Sequence, residues 1–279
     1  MEQNNKRKDM NDLFEKIPMD GVKNIIVVAS GKGGVGKSTV AANLAVAMAR
    51  NGYKTALVDA DIYGPSLPRM FGIEDSKPDV TAFGDKQMIF PIEKAGVKIM
   101  SIGFFIERNQ SLIWRGPMAA NAITQLFENT QWGDIDYMFV DFPPGTGDIQ
   151  LTILQKLNIA GAIIVTTPQE IALNDARKAS SMFTNPDLKV PILGVIENMS
   201  WFTPEKHPDE KYFIFGKGGG RSLALEYETN FLGQIPLVME IGTAAESGRS
   251  IFTQKNKEVV QAFEKIAELL IPEEKPILK

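Results

Sequence analysis

The chain has 279 residues, with 30 lysines and arginines against 34 aspartates and glutamates and a formal net charge of −4. That balance excludes the global basic field that gathers nucleic acid or anionic lipid, so neither a nucleic-acid nor a membrane partner is expected. There is no cysteine and a single histidine, His207, which excludes disulfides, thiolate nucleophiles, and any zinc or iron–sulfur site built on the chain's own thiolates.

Residues 1–22 are polar and read as an N-terminal tail, although Met10, Leu13, Phe14 and Ile17 fall at the spacing of one apolar helical face. That face suits docking on the body of the protein. Lys6, Arg7 and Lys8 have no apolar stretch behind them, so no secretory signal is expected. No apolar run approaches the ~20 residues that span a bilayer, and a cytoplasmic location follows as the expectation. From Val22 onward strands and helices alternate. The pattern predicts an α/β fold, a doubly wound and mostly parallel sheet with helices on both faces. A single domain over 23–272 with a short C-terminal tail, 273–279, is expected.

The first strand, Asn24 to Ala29, is a β-branched run of the kind buried on both faces of a parallel sheet. Behind it stands Gly31-Lys32-Gly33-Gly34-Val35-Gly36-Lys37-Ser38-Thr39, which contains the complete phosphate-binding pattern G-x-x-x-x-G-K-[ST]. Its glycines let the backbone turn and aim N–H groups at phosphate oxygens. Lys37 is placed to reach the β- and γ-phosphates, and the Ser38 hydroxyl to ligate Mg²⁺. A helix from about Lys37 to Arg50 adds its positive N-terminal end and stops at Asn51-Gly52. The ligand implied is a nucleoside triphosphate with Mg²⁺.

The second strand, Lys54 to Asp59, delivers Asp59-Ala60-Asp61 to the edge of the sheet where ligands of open α/β folds bind. Residues 86–102 read as a β-hairpin excursion with Ala95-Gly96 at its turn. A helix over Met118 to Asn129 precedes the strand Tyr137 to Asp141. An apolar strand ending in aspartate is the arrangement that reaches Mg²⁺ through water. In the loop Phe142-Pro143-Pro144-Gly145-Thr146-Gly147 the N–H of Gly145 is expected free to approach the γ-phosphate. Asp148 is expected to cap the helix that runs to Leu157. Strand Gly161 to Thr166, helix Ile171 to Phe183 and strand Ile192 to Ile196 continue the alternation. Gly216 to Ser222 looks like a second phosphate loop but lacks the lysine before Ser222, and reads as a turn ahead of a helix. The last helix carries Val259, Phe263, Ile266 and Leu270 as a core-facing stripe.

With its second lysine, the loop Gly31 to Thr39 resembles the deviant phosphate loop of the ParA/MinD/nitrogenase-iron-protein class. That resemblance implies that Lys32 reaches the nucleotide of a partner subunit across a two-fold interface. A cation supplied in trans offsets charge on the γ-phosphate, as an arginine finger does. It also implies that Asp61 orients or activates the attacking water and that Asp59 supports Mg²⁺ and its waters. Asn198 then reads adenine with its side-chain amide, and Pro236 packs near the ring. The guanine-reading N/T-K-x-D signature is not evident, so ATP is favoured.

The segments Val58 to Ser66, Trp114 to Met118, Asp141 to Asp148, Ile196 to Ser200 and Phe215 to Gly220 narrow the match. Together they closely resemble the Mrp/ApbC group of iron–sulfur cluster carrier ATPases, over about Val22 to Ile271. The resemblance implies a homodimeric, Mg²⁺-dependent ATPase of iron–sulfur cluster assembly or transfer, with apo-proteins or assembly factors as partners. In that family a C-x-x-C pair follows the Asn-Met-Ser segment, and two subunits hold one bridging cluster. The corresponding stretch here, Trp201 to Tyr212, has no cysteine. Its carboxylates and His207 offer harder, weaker ligands than thiolate. The ATPase is therefore expected intact and the cluster chemistry altered, lost or supplied by a partner. The alternatives are a ParA/MinD-like positioning or regulatory switch with no cluster role, which the acidic, proline-broken C-terminus disfavours, and a small-molecule kinase.

Overall fold

Alternating side chains on the strands set the architecture. In the computed structural model, which describes residues 15–84, 86–106, 116–254 and 256–271, ten strands are assigned. They are β1 (Val22–Ala29), β2 (Thr55–Asp59), β3 (Asp79–Phe83), β4 (Lys86–Phe90), β5 (Ile92–Lys94), β6 (Val97–Ser101), β7 (Ile135–Asp141), β8 (Ile159–Thr166), β9 (Ile192–Glu197) and β10 (Asn230–Gln234). Ile25, Val27 and Ala29 of β1 enter one hydrophobic layer while Ile26 and Val28 enter the other. The same alternation on β7 splits Met138 and Val140 from Tyr137 and Phe139. A strand buried on both faces needs helices on both, and the helices are there.

The eight-stranded sheet runs β10-β9-β8-β1-β7-β2-β6-β5, and every pairing is parallel except β5 with β6. On one face lie α1 (Lys37–Arg50) and α8 (Lys257–Leu269). The other is covered by α3 (Gly116–Asn129), α4 (Asp148–Lys156), α5 (Glu170–Phe183) and α6 (Gly219–Glu226). Two shorter helices, α2 (Leu67–Met70) and α7 (Met239–Glu246), pack against each other. The stripe expected on the last helix is present: Val259, Phe263 and Ile266 are buried, with Leu270 half-buried at its end.

The expected turn at Ala95-Gly96 is found, with φ of 52° and 78°, the left-handed pair that a tight hairpin requires. The excursion reading is corrected. β6 lies inside the main sheet, parallel to β2, and a separate antiparallel pair, β3 with β4, precedes it. Parallel pairing with a distant strand leaves no local signal, so the hairpin alone was readable. The helix α7 was not anticipated either, because it is short, holds Gly242 and carries little buried surface. Ile17 is buried and donates its N–H to the Lys156 carbonyl at 2.8 Å. Met10, Leu13 and Phe14, the pair Trp114 and Arg115, and the tail beyond 271 lie outside the described residues.

This topology brings three strand ends to one place. In register, Val28 of β1 faces Asp141 of β7, and Asp141 faces Asp59 of β2. The loops that leave these strands carry all the residues predicted to handle phosphate.

A candidate nucleoside triphosphate site

The loop after β1 is held from two sides. A Cβ on Gly31 would lie 2.1 Å from the Asp175 carbonyl oxygen, so helix α5 abuts the start of the loop. Gly36 has a φ of 84°, and a Cβ there would meet Asn198 Nδ2 at 2.2 Å. Only glycine meets both demands at Gly36. Asn198 in turn donates from Nδ2 to the Val35 carbonyl at 2.8 Å, while Val35 itself is buried. The loop ends at the first turn of α1, whose N-cap, Gly36, offers no side chain to its free N–H groups.

Lys37 lies almost wholly buried, 6% exposed, and its Nζ donates to Asp141 Oδ1 at 2.5 Å and to Ser38 Oγ at 3.3 Å. Asp61 Oδ2 stands 3.9 Å from the same ammonium. Asp141 Oδ2 and Asp61 Oδ1 are buried with no hydrogen-bond partner. Buried carboxylate oxygens without a donor are costly and point to a group that the protein's own side chains do not supply. Burial pushes the Asp141 carboxyl above its ordinary range, opposed by the Lys37 ammonium and the Ser38 hydroxyl. A cavity of about 270 Å³ opens beside these groups, lined by the loop including Lys32, Gly33, Gly34 and Thr39, and by Asp61 and Pro144 across from it. Lys32 is half-buried at its rim.

Asp59 sits differently. It is fully buried, and its Oδ1 accepts from the Asp61 N–H at 3.2 Å. Its Oδ2 accepts from the Leu67 N–H at 3.1 Å and from Ser101 Oγ at 3.0 Å. Those bonds brace the loop that presents Asp61, and Asp59 does not line the cavity. In this structure the Asp59 side chain is engaged with the loop that follows β2 and with Ser101. Burial foremost, then the charge of Asp141, raises its pKa from 3.8 to about 7. The folded chain thus keeps a proton that the unfolded chain releases, so this contribution to stability is complete below about pH 4 and lost as pH rises through about 7. In EDTA without nucleotide, the melting temperature of the native chain is expected to fall from about pH 5.5 to about pH 8 more steeply than that of Asp59→Asn. Equal slopes would remove Asp59 as the source.

Two expectations about the loop after β7 are corrected. The Gly145 N–H is engaged, donating to the Ser30 carbonyl at 3.1 Å, because the loop folds back on the end of β1. Asp148 does not cap α4: the cap is Gly147, whose N–H donates to Gln150 Oε1 at 3.0 Å, and Asp148 is the first helical residue. Gln150 also donates to the carbonyls of Pro143 and Pro144, at 3.0 and 3.2 Å, and so fixes the whole loop. A glutamine at the third helical position is a capping-box signal that the sequence did contain. Asn198 and Pro236 follow neighbouring strands, β9 and β10, and neither lines the phosphate cavity. Asn198 touches the loop backbone, and Pro236 is buried one strand further out.

His207 is mostly exposed and lies 3.3 Å from Glu210. Among the described residues no group of three or more histidine or acidic side chains is arranged to hold a metal ion, and no helix is long and apolar enough to cross a membrane.

A parallel doubly wound sheet with a two-lysine phosphate loop on β1, an aspartate ending β7 and a second aspartate behind β2 defines a P-loop NTPase. The profile of the NUBPL iron-transfer P-loop NTPase family, within the ParA group, matches residues 21–271. The chain belongs to that family of iron–sulfur cluster carriers. It is 47% identical to an iron–sulfur cluster carrier protein of Aquifex aeolicus over 260 residues, 92% of this chain and 70% of that one. It is 45% identical to an iron–sulfur protein required for NADH dehydrogenase in Arabidopsis thaliana mitochondria, covering 92% and 80% of the two chains. Among solved structures, a nucleotide-binding protein of Archaeoglobus fulgidus in complex with ADP aligns with a TM-score of 0.72 and 37% identity, over 85% of this chain and 91% of that one. The cell-division ATPase MinD of Pyrococcus furiosus shares the fold, with a TM-score of 0.63 at 24% identity over 88% and 98% of the two chains.

Proposed function

We propose that the chain is an ATP-driven switch in iron–sulfur protein maturation, acting as a homodimer on apo-proteins or assembly factors. What carries this reading is an intact phosphate-handling constellation on a chain that matches the carrier family over residues 21–271. Relatives at 45–47% identity bear iron–sulfur names, whereas the MinD likeness concerns fold alone. The carrier reading is therefore preferred to a positioning switch.

The unpartnered Asp141 Oδ2 and the Ser38 hydroxyl beside Asp141 would hold a Mg²⁺ ion, which when bound would supply neutralising charge to the triphosphate. Lys37 leaves Asp141 for the β- and γ-phosphate oxygens. Asp61, held by Asp59, turns its free Oδ1 to the water in line with the γ-phosphate and accepts its hydrogen bond. Lys32 of a second copy covers the charge on the γ-phosphate from the far side. Gly145 trades the Ser30 carbonyl for a γ-phosphate oxygen, so that the loop after β7 reports hydrolysis.

The cargo is not held by thiolates of this chain, which has none. A cluster passing through it is ligated by a partner, and the switch drives hand-over. Anaerobic incubation with iron and sulfide tests this by visible spectrum, followed by transfer from a cluster-loaded, thiolate-bearing scaffold to an apo-acceptor. The chain alone is expected to show no cluster absorbance, and transfer is expected to accelerate only when the chain and ATP are both present. Transfer unchanged by the chain and ATP would overturn the carrier role.

A further inference from the structure

Away from the phosphate cavity, a groove of about 550 Å³ lies between the loop after β9 and the first turns of α7 and α8. Its apolar lining comes from Phe202, Pro204 and Pro208 on one wall and Val238 and Met239 on the other, with Thr203, Thr243 and Asn256 among them. Met239 is 77% exposed, a large apolar side chain left on the rim. The carboxylates of Glu205 and Glu240 stand on opposite walls, and neither has a cationic partner among the described residues. A third, Glu258, is already paired with Lys211 at 3.3 Å.

The walls are tied down. Phe202 and Tyr212 exchange backbone hydrogen bonds of 2.9 and 2.8 Å, closing the loop into a hairpin. Lys211 Nζ sits 3.9 Å from the Trp201 ring centroid, and the Leu237 N–H donates to the Trp201 carbonyl at 2.7 Å, joining one wall to the other. A groove formed in advance costs little ordering on binding.

We infer that this groove docks an extended segment of a partner polypeptide that carries lysine or arginine beside leucine-sized apolar side chains. Two unpaired carboxylates on opposite sides of an apolar lining attract such a segment and repel an acidic one. Met239 adapts its unbranched side chain to whichever apolar residue enters. The surface stands apart from the phosphate cavity, and its wall of Phe202, Pro204 and Glu205 lies in the stretch Trp201 to Tyr212, where the family carries its C-x-x-C pair.

Fluorescence anisotropy of a labelled peptide alternating lysine and leucine, titrated with the full chain, tests it. Saturable binding is expected, weakened about tenfold by Glu205→Gln with Glu240→Gln and about tenfold by Met239→Ser. Peptides alternating glutamate with leucine, or lysine with serine, are expected to bind at least about tenfold more weakly. A fluorescent ATP analogue should bind all variants as it binds the native chain, which keeps a loss at the groove distinct from damage elsewhere. The inference is overturned if the variants bind the lysine–leucine peptide as the native chain does. Equal binding of the lysine–serine peptide also overturns it, because the surface would then be a diffuse acidic patch and not a groove.

Discussion

Replacing Lys37 with alanine is expected to lower ATP affinity by at least about a hundredfold, roughly 3 kcal/mol, the scale of lost hydrogen bonds between charged groups. The Lys37 ammonium lies buried among the carboxylates of the cavity, 2.5 Å from Asp141 and 3.9 Å from Asp61. Its removal also leaves Asp141 fully buried without a counter-charge. Breaking such a pair costs about 3–5 kcal/mol when the remaining carboxylate stays ionised. Asp141 can instead take up a proton, since burial already raises its pKa and Lys37 is what opposes that rise. The loss of stability in Lys37→Ala should therefore grow as pH rises and shrink in mild acid. Titration with a fluorescent ATP analogue and melting curves across pH check both parts. Near-native affinity would take Lys37 out of the phosphate cradle.

Asp61→Ala is expected to act on the chemical step alone. Turnover should fall by about 10²–10⁴, the usual weight of a positioned general base, while ATP affinity changes only a few-fold. The backbone that carries Asp61 is bonded to Asp59 at 3.2 Å, so the loop keeps its course without the side chain. Stability should change little, because the substitution removes a buried oxygen that has no donor together with a long 3.9 Å ion pair, and Lys37 keeps its bond to Asp141. The variant should then accumulate as an ATP-bound dimer, visible by light scattering. Hydrolysis at the native rate would show the assignment of Asp61 to be wrong.

The fold and the phosphate loop were legible because their signals are local. A β-branched strand, a glycine pattern and a helix stop at Asn51-Gly52 each occupy a few adjacent residues, and the structure places α1 over Lys37 to Arg50 as read. What stayed hidden depends on pieces distant in sequence. Asn198 braces the Val35 carbonyl across 163 positions, and Ser101 bonds Asp59 across 42. The buried Glu197 is of the same kind: it accepts from Ser200 and Gln234 side chains and from the Gly220 N–H, tying β9 to β10 and to the start of α6. As the last residue of a strand it carried no mark of that burial. Asp59 and Asp61 looked equivalent in sequence. Only packing separates them, one facing the core and the other the cavity.

The central claim is that hydrolysis needs two copies of this chain, one supplying Asp61 and the other Lys32. Mixing Lys32→Ala with Asp61→Ala, each nearly inactive alone, measures it directly. Half of randomly mixed dimers are hybrids, and one site in each hybrid has both groups, so about a quarter of native turnover should return. Activity that remains the sum of the two inactive variants, under conditions where subunits exchange, would contradict the account.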